Sequence, residues 1–350
     1  MPRLLIDIYK TKNLNSGIGQ FSINFAEELL KTVPPDFKTT FLVPSTFHEH
    51  DFSQINILRN NFLNRNFPWL NRGYDLWHSL HQFPSHFPGP KTKWVLTIHD
   101  LNFLVEKSEK KAANYLNKLQ ASVDRATAVT VISGYTEKLV RENLRLSGKP
   151  LHMIHNGIKI KSFPDARKPG FIKKENFFFA IGIITAKKNF QVLLPLMTLF
   201  PDWDLIIAGN IDSPYARQLI EQVNSLGLAN RVRLPGNIDE QQKYWLYSHC
   251  DALFFPSLAE GFGMPLIEAM LMGKPVFSSR NASLPEIGGE YAFYWENFEP
   301  EHMAEVVRNG LSRYAKNKEQ LSASIIAHAR GFSWTTCIEK YLSVYREVLR

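Results

Sequence analysis

Short apolar runs alternate with segments of helical periodicity along most of this chain. In the first half the apolar runs predict strands at residues 3–8, 40–43, 94–98, 128–132 and 151–154. In the second half they predict strands at residues 177–181, 205–209, 232–234 and 252–255. Helical patterns lie between them, near residues 18–30, 190–200, 214–226 and from 240 onward. Parallel strands need crossover connections, so this alternation predicts two parallel α/β sheets in tandem.

A break in the alternation divides the chain. Residues 158–176 are basic, contain prolines and lack periodicity, which is typical of a linker. We therefore predict a first domain at 1–157, a linker at 158–176 and a second domain at 177–330. Residues 331–350 form a last helix that we expect to return to the first domain. With 350 residues, 44% of them apolar, the chain is long enough for two cores.

Charge and composition exclude several classes of protein. The N-terminus lacks the pattern of a secretory signal, and no run approaches the roughly 18 apolar residues of a membrane span. Two cysteines make neither a disulfide framework nor a metal cluster. We expect a cytoplasmic protein, soluble or peripheral on the inner face of the membrane. No zinc-finger, RNP or basic-zipper pattern supports nucleic acid as a partner.

The positive charge is concentrated in the first half. Residues 1–157 hold 19 Lys and Arg against 13 Asp and Glu, whereas residues 177–350 hold 16 against 18. Two interpretations remain open, a solvated basic surface or a surface that docks on an anionic membrane.

The stretch SLAEGFGMPLIEAM, residues 257–270, combines two acids with two glycines and a proline. Pro265 suits a helix start, so the amides of residues 261–264 lie at the positive end of a helix dipole, where they favour a diphosphate. Glu268, one turn into the helix, can accept two hydrogen bonds from a ribose diol, and Glu260 can do the same for a sugar ring. The alternative is an ordinary helix start with favourable acids in its first turn.

Other candidate residues follow predicted strand ends, where ligands of such sheets bind. A glycine-containing loop, residues 15–20, follows the first strand. His99 and Asp100 follow the strand at 94–98, and Lys187 and Lys188 follow the strand at 177–181.

Together these segments resemble retaining glycosyltransferases of the GT-B fold, family 4. The Glu260 to Glu268 spacing matches that family's two-glutamate signature. The segments SGIGQFSINFAEEL, VLTIHDLNFL, IHNGI, IGIITAKKNF and FSWTTCIEKYLSVY match other parts of its pattern over nearly the whole chain. The resemblance implies an α/β, GT-B fold, with two Rossmann-like parallel-sheet domains facing across a cleft.

The resemblance also implies roles for residues of the second domain. Glu268 would bind the ribose of a nucleotide sugar, and Glu260 the transferred hexose. Backbone amides around Phe262, Gly263 and Met264 would meet the sugar and the diphosphate.

Further implied roles concern the loops. Gly17 and Gly19 would let the first domain approach the phosphates, and His99 would touch the reacting face of the donor sugar. Asp100 would brace His99 or its loop. Lys188 would neutralise the diphosphate. Many family members carry Arg where this chain has Ile183, and Lys187 is the candidate replacement for that charge. The division of labour between Lys187 and Lys188 stays open.

The implied reaction is metal-independent hexosyl transfer. A sugar diphosphate is a good leaving group once its charge is met, and a pair of lysines with a helix N-terminus supplies that electrostatic help. No nucleophilic carboxylate pair of the glycosidase kind presents itself; the family's front-face route needs none. Asp202 and Asp204 mimic a metal-binding pair but precede their strand, so we predict a surface turn, no metal and no cofactor.

The sequence leaves more than one candidate for the donor, for the acceptor and for the class of reaction. GDP-mannose is the favoured donor, with UDP-hexoses as the alternative, and the acceptor is a glycan or lipid-linked glycan of lipopolysaccharide, O-antigen or exopolysaccharide synthesis. A dinucleotide oxidoreductase is disfavoured, because Ser22 stands where the third glycine would be. A nucleotide-sugar 2-epimerase and a non-catalytic sugar-binding module remain alternatives.

A few other residues are expected to be structural. Ser133 is predicted to cap a helix, and Trp334 to anchor the last helix by packing. His78, His81 and His86 are spaced too loosely for a helical metal site, and a loop near the acceptor is an alternative for them.

Overall fold

The computed structural model describes residues 1–14, 16–32, 37–47 and 56–350. The chain divides into two compact units, one of residues 1–157 with 333–350 and one of residues 158–332. The stretch 158–176, which we predicted as a linker, thus lies within the second unit. Each unit is built on one parallel sheet, and two parallel α/β sheets are what the alternation predicted.

The sheet of the first unit has seven strands within the described residues, in the order β3-β2-β1-β4-β5-β6-β7. All neighbouring strands run parallel. The strands are β1 Arg3–Asp7, β2 Lys38–Val43, β3 Asn56–Arg59, β4 Leu76–Ser79, β5 Lys93–Ile98, β6 Ala128–Val131 and β7 Leu151–Met153. The sequence patterns did not predict β3 and β4. In β4 the polar His78 and Ser79 interrupt the apolar run although all four residues are buried.

The helices of the first unit are α1 Gly17–Thr32, α2 Phe62–Asn66, α3 Phe103–Glu106, α4 Glu109–Arg125 and α5 Gly134–Asn143. Short 3-10 turns at Tyr9–Lys12 and Pro68–Leu70 precede α1 and follow α2. Ser133 caps α5 by accepting a hydrogen bond from the Thr136 amide at 3.1 Å, as predicted.

The second unit carries a six-stranded sheet in the order β10-β9-β8-β11-β12-β13, also parallel throughout. Its strands are β8 Phe177–Ile181, β9 Asp204–Ala208, β10 Val232–Gly236, β11 Ala252–Phe255, β12 Val276–Ser279 and β13 Phe293–Trp295. The phenylalanine-rich β8 is a core strand, and the Phe178 ring stacks on Phe254 of β11 with centroids 4.2 Å apart.

Helices cover the second sheet, and one more helix closes the first unit. Those of the second unit are α6 Leu193–Thr198, α7 Pro214–Ser225, α8 Glu240–His249, α9 Met264–Leu271, α10 Leu284–Gly288, α11 Pro300–Lys316 and α12 Lys318–Arg330. The last helix, α13 Trp334–Leu349, belongs to the first unit. No helix among the described residues has the length and apolar content that a membrane crossing requires.

The last helix is anchored by aromatic side chains. Trp334 is buried in the core of the first unit, where its ring lies 5.5 Å from that of Phe21 on α1. A Cβ on Gly157 would lie 2.5 Å from Trp334 Cα, so only glycine permits this close approach. The predicted packing role of Trp334 is therefore confirmed by its contacts.

The strand orders locate the two places where ligands of such sheets bind. Each order reverses beside its first strand, between β1 and β4 in the first unit and between β8 and β11 in the second. Connections leave in opposite directions at such a point and open a crevice past the carboxyl ends of the strands. Residues 182–189 and 256–263 follow β8 and β11, so both predicted ligand loops lie at the switch point of the second sheet.

Candidate functional site

The two loops at the switch point of the second sheet are bound to each other. The Leu258 amide donates a hydrogen bond to the Lys187 carbonyl at 2.7 Å. At Gly182 φ is +150°, and a Cβ there would lie 2.9 Å from Lys188 Cε. Glycine at this position therefore gives the Lys188 side chain its path across the loop.

Lys188 and Glu260 form an ion pair between these loops. Lys188 Nζ lies 2.6 Å from Glu260 Oε1, and the two side chains are only 10% and 14% exposed. Lys188 Nζ also lies 4.6 Å from the centre of the Phe255 ring, in cation–π range. Lys188 is thus held between Glu260 and Phe255, and its contact with a diphosphate stays a prediction.

The backbone after Glu260 is fixed by a buried serine. Ser283 Oγ is 2.9 Å from the Glu260 carbonyl and 3.0 Å from the Phe262 carbonyl. At Gly263 φ is +103°, and a Cβ would lie 2.7 Å from Leu284 Cδ2, so this position needs glycine. The helix α9 begins at Met264, one residue before the predicted start at Pro265.

Glu268 lies in the second turn of α9 and is held by two side chains of α8. The Tyr247 hydroxyl donates to Glu268 Oε2 at 2.8 Å, and Lys243 Nζ lies 3.5 Å from Oε1. Lys243 also pairs with Glu240 at 3.0 Å. The Glu268 side chain is 17% exposed, and its carboxylate is held from the side of α8.

Protonation states on α8 suit this bracing. Burial, and then the neighbouring Glu268, raises the pKa of Tyr247 well above its usual value, so its hydroxyl keeps its proton and donates. Burial would lower the pKa of Lys243, but Glu268 and Glu240 outweigh it and raise the pKa. Sequence reasoning missed both residues. Their i, i+4 spacing on one helix was the available signal.

His99 follows β5 in the first unit and is held by the neighbouring loop. His99 Nε2 lies 2.7 Å from the Leu80 carbonyl, and the ring packs edge-on against Phe21 with centroids 4.9 Å apart. A carbonyl only accepts, so Nε2 donates, and Nδ1 of the neutral ring carries the lone pair. Burial lowers the pKa of His99 to about 4, against the raising effect of the Leu80 bond, so the ring is neutral at pH 7.

Gln82 joins the loops that follow β4 and β5. Its Oε1 accepts from the His99 amide at 3.1 Å, and its Nε2 donates to the Asp100 carbonyl at 3.0 Å. Asp100 Oδ1 in turn accepts from the Asn102 amide at 3.0 Å. Asp100 therefore braces its own loop, and Gln82 is a further supporting residue that the sequence did not single out.

In the glycine loop before α1, local packing requires glycine at one position, Gly19. Gly19 is buried, and a Cβ there would lie 2.0 Å from the Asn13 carbonyl oxygen. Gly17 is the exposed first residue of α1. Approach of a ligand to Gly17 and Gly19 stays a prediction, and Asn15 of the predicted loop lies outside the described residues.

The structure differs in part from the surface turn that we predicted for Asp202 and Asp204. Asp202 is exposed in a turn, but Asp204 is 1% exposed, begins β9 and pairs with Arg233 of β10. The prediction of a surface turn is therefore wrong for Asp204, because cross-strand pairing buries it. Both residues do lie at the amino end of β9, the end opposite the ligand loops.

Of the histidines at positions 78, 81 and 86, the first belongs to β4, and the other two lie in the loop between β4 and β5. His78 is a fully buried residue of β4, with Nδ1 2.6 Å from the Tyr345 hydroxyl and Nε2 2.7 Å from Thr97 Oγ1. His86 is also buried and contacts Asn60 Oδ1 at 2.7 Å. His81 Nδ1 accepts from the Phe83 amide at 3.0 Å. The loop interpretation of His78 is wrong, because it belongs to a strand that the apolar pattern missed.

The structure brings together some predicted residues and separates others by unit. Lys188 pairs with Glu260, and Lys187 bonds to the same loop through its carbonyl. Gly17, Gly19 and His99 belong to the first unit. Two parallel α/β units, with a cation, two acids and a helix start at the switch point of the second sheet, are the arrangement that the resemblance to GT-B glycosyltransferases implied.

Family models identify the chain within this class. The model for Glycosyltransferase Family 4 matches residues 26–162, and that for Glycosyl transferases group 1 matches residues 162–328. The chain belongs to the group 1 glycosyltransferases with the GT-B fold. The predicted membership of this GT-B family is thereby confirmed.

Similar proteins include two bacterial mannosyltransferases. The chain is 24% identical to O-antigen chain mannosyltransferase B of Escherichia coli, over 95% of this chain and 96% of that protein. It is 25% identical to the serotype-specific mannosyltransferase WbdA of Escherichia coli over 75% of this chain, but spans only 35% of that protein's length.

Solved structures share the fold. Sucrose-phosphate synthase of Thermosynechococcus elongatus superposes with a TM-score of 0.79 at 18% identity, covering 99% of both chains. Anabaena HepE in complex with UDP-glucose superposes with a TM-score of 0.73 at 17% identity, covering 99% of this chain and 100% of that chain.

Proposed function

We propose that this glycosyltransferase moves a hexose from a nucleotide diphosphate sugar to a glycan acceptor, with retention of anomeric configuration and without a metal. The observation that carries the proposal is the ion pair of Lys188 with Glu260 beside the start of α9. GDP-mannose is the favoured donor, since the relatives at 24% and 25% identity are named mannosyltransferases. UDP-hexoses are the alternative, and HepE has been solved with UDP-glucose.

Donor binding follows from the chemistry of the second unit. In the proposal, Glu268 accepts the two hydroxyls of the ribose while Tyr247 and Lys243 keep its carboxylate oriented. The diphosphate lies against the amides around Phe262, Gly263 and Met264, where the helix dipole favours negative charge.

Lys188, with Lys187, neutralises the leaving diphosphate. Lys188 is already fixed by Glu260, so it needs little reorganisation when the charge develops. Glu260 then turns a carboxylate oxygen to a hydroxyl of the transferred hexose, which replaces part of its interaction with Lys188.

Residues of the first unit act on the sugar and the phosphates. His99 accepts a hydrogen bond from a sugar hydroxyl through the Nδ1 lone pair of its neutral ring. Gly17 and Gly19, at the start of α1, allow the phosphates to approach the backbone closely. This assignment makes His99, Glu260 and Lys188 the catalytic residues.

Transfer proceeds on one face of the sugar. The bond from the anomeric carbon to the diphosphate oxygen breaks, and its electron pair leaves with the diphosphate. The acceptor oxygen forms its bond to the anomeric carbon on the same face and gives its proton to the departing phosphate oxygen. Glu260 is engaged with Lys188, and this route requires no carboxylate nucleophile.

The acceptor in the proposal is a glycan or lipid-linked glycan of lipopolysaccharide, O-antigen or exopolysaccharide synthesis. Its support is the O-antigen relative, which matches over 95% of this chain. Such a reaction draws on cytoplasmic nucleotide sugars, so we place it in the cytoplasm or on the inner face of the membrane.

Binding and turnover measurements test the proposal. A thermal-shift series with GDP-mannose, UDP-glucose, UDP-galactose and UDP-N-acetylglucosamine should show one clear stabilisation, about 2.7 kcal/mol at 100 times Kd. NMR of the product from that donor and a saccharide acceptor should show the donor's anomeric configuration. Release of free nucleotide diphosphate and an isomerised sugar without acceptor would instead indicate the epimerase. Binding without any turnover would indicate the sugar-binding module.

A further inference from the structure

A cluster of large apolar side chains stands out from the first unit at α2 and the turn after it. Phe62, Leu63, Trp69 and Leu70 are 72%, 56%, 57% and 45% exposed. We call these four residues the α2 surface. Single exposed apolar residues are common, whereas four large ones within nine positions mark an interaction site.

The backbone beneath the α2 surface is firmly held. Asn61 and Asn64 form a reciprocal capping box with bonds of 2.8 and 3.0 Å. The buried Asn71 side chain donates to the carbonyls of Asn64 at 2.7 Å and Phe87 at 2.9 Å. Asn64 and Asn71 are thus buried while Phe, Trp and Leu side chains of the same segment are exposed, the reverse of what contact with water alone favours.

Aromatic contacts order the exposed side chains. The Phe67 ring lies 6.2 Å from that of Phe62 and 5.0 Å from that of Trp69, both edge-on. The rings are therefore presented together, which reduces the conformational entropy lost when they enter an apolar environment.

Basic side chains border the α2 surface. Arg65 on α2 and Arg72 after the turn are both exposed. Arg72 also lines a cavity of about 310 Å³ together with Arg3 and Lys38. Beside it lies a cavity of about 220 Å³, lined by Leu58, Leu63 and Leu70 together with three asparagines, Tyr74 and again Arg72. The basic cavity thus adjoins a cavity of mixed apolar and polar lining.

An acidic side chain next to Arg3 is held by the backbone of β1. Asp75 Oδ2 accepts from the Arg3 backbone amide at 2.6 Å. Arg3 and Lys38 are the first residues of β1 and β2, so the basic cavity lies at the amino ends of the strands. The predicted Gly17, Gly19 and His99 site lies toward the carboxyl ends. The four residues of the α2 surface are not among these predicted site residues, although α2 begins three residues after the carboxyl end of β3.

We propose that the α2 surface docks on an anionic bilayer. Phe62, Leu63, Trp69 and Leu70 enter the boundary between head groups and acyl chains, where Trp and Phe are favoured. Arg65 and Arg72 lie at the level of the lipid phosphates, and the cavity of Arg3, Lys38 and Arg72 accepts a lipid phosphate.

A bilayer explains the two features together. The exposed apolar residues belong to a five-residue helix and a three-residue turn, and large apolar side chains of this kind are favoured at a bilayer interface. The flanking cations require negative charge, and the first 157 residues carry 19 Lys and Arg against 13 Asp and Glu. The inference goes beyond glycosyl transfer and does not depend on the donor.

Co-sedimentation of the full chain with vesicles tests the proposal. We expect binding to phosphatidylcholine vesicles that contain about 30% phosphatidylglycerol, and little binding to phosphatidylcholine alone. The double variant Phe62→Ser/Trp69→Ser should bind at least tenfold more weakly. The variant Arg65→Gln/Arg72→Gln should lose about fivefold per cation, and added salt should reduce binding of the wild type.

A matched control removes two apolar residues elsewhere in the same unit. Val105 is 77% and Met153 36% exposed, outside the α2 surface, so Val105→Ser/Met153→Ser should bind vesicles like the wild type. Thermal unfolding of each variant verifies folding. Phe62→Ser/Trp69→Ser should turn over donor with a water-soluble acceptor at the wild-type rate, so failure of the enzymatic proposal and failure of docking give different results.

Insertion is measured separately with brominated lipids, which quench a tryptophan at acyl depth. Wild-type fluorescence should be quenched more than that of Trp69→Phe, which keeps an aromatic ring and still binds. Vesicle binding unaffected by Phe62→Ser/Trp69→Ser overturns the proposal, as does equal binding to neutral vesicles. Dimerisation that this variant abolishes, without vesicle binding, assigns the surface to a second copy of the chain.

Discussion

Lys188 Nζ lies 2.6 Å from Glu260 Oε1, which ties the loop after β8 to the loop after β11 through two largely buried charges. We expect the pair to contribute both to the stability of the fold and to catalysis. Each charge offsets part of the cost of burying the other, so removing only one of them is destabilising. The cation is fixed where the proposal puts the donor diphosphate. Variants can separate the effect on stability from the effect on catalysis.

Lys188→Ala should lower kcat/KM for the donor by about 10²–10³-fold, the usual effect of removing one preorganised electrostatic group. The unfolding temperature should also fall, because Glu260 is left without its cation. Lys188→Ala/Glu260→Gln should recover unfolding temperature but not activity. Lys187→Ala is the matched comparison, with an expected loss below tenfold. Equal losses at the two lysines would contradict a larger role of Lys188 than of Lys187 in neutralising the diphosphate.

Glu268→Ala should weaken donor binding by roughly 1.5–3 kcal/mol, the scale of hydrogen bonds to a charged group, with the fold intact. Tyr247→Phe removes only the hydroxyl that holds Glu268 Oε2, so we expect a smaller loss of about 0.5–1.5 kcal/mol. Glu240→Ala, which removes the exposed partner of Lys243, should change little. Titration calorimetry with the donor measures all three. Unchanged affinity in Glu268→Ala would remove the ribose role.

His99→Ala should lower kcat by about 10²-fold or more, with donor affinity nearly kept, because its hydrogen bond is expected to act mainly in the transition state. The pKa of His99 is about 4, so the ring stays neutral from pH 5.5 to 8. The ratio of wild-type to variant kcat should therefore be constant over that range. A near-normal kcat would assign His99 to structure, and a ratio that changes near pH 6.5 would contradict its neutral state.

Activity should survive excess EDTA, because the proposed charge neutralisation comes from lysines. Asp204 is occupied by Arg233 at the amino end of β9, so Asp202→Asn should also leave turnover unchanged. Loss of turnover in EDTA that manganese or magnesium restores would refute metal independence.

Asp7 should make stability depend on pH. Burial, opposed by the Tyr9 amide and Lys10, raises the pKa of Asp7 from 3.8 to about 7. Between these values the folded state holds a proton that the unfolded state releases, so stability is lost as pH rises from about 4 to 7. The loss is at most on the order of 4 kcal/mol, since each pKa unit corresponds to about 1.4 kcal/mol.

Asp7→Asn removes this titration and keeps an oxygen for the Tyr9 amide, which bonds Asp7 Oδ1 at 2.9 Å. The stabilisation of Asp7→Asn over the wild type should be near zero at pH 4 and largest at pH 8. Buried histidines lose stability toward acid in both proteins, so the difference isolates Asp7. If the difference in unfolding free energy between Asp7→Asn and the wild type did not change with pH, Asp7 would be ionised in the folded protein.

The sequence determined the fold class, because strand and helix periods and turn residues are local properties. The apolar runs at β5, β6, β8 and β11 and the loops that follow them could be predicted without coordinates. So could the helix starts at Ser133 and Pro265, within one residue, since capping depends only on near neighbours.

Only the tertiary structure decided which distant side chains meet. Lys188 and Glu260 are 72 positions apart, and Tyr247 reaches Glu268 across 21; these pairs exist because β8 lies beside β11 and α8 beside α9. The apolar pattern missed the strand of His78 because this side chain is polar. In the structure, hydrogen bonds with Tyr345 and Thr97 allow His78 to be buried in the core. Asp204 was predicted in a surface turn, but its ion pair with Arg233 allows it to be buried at the start of β9. Hydrogen-bond and charge partners that come from elsewhere in the chain make polar residues stable inside, and sequence periodicity carries no record of them.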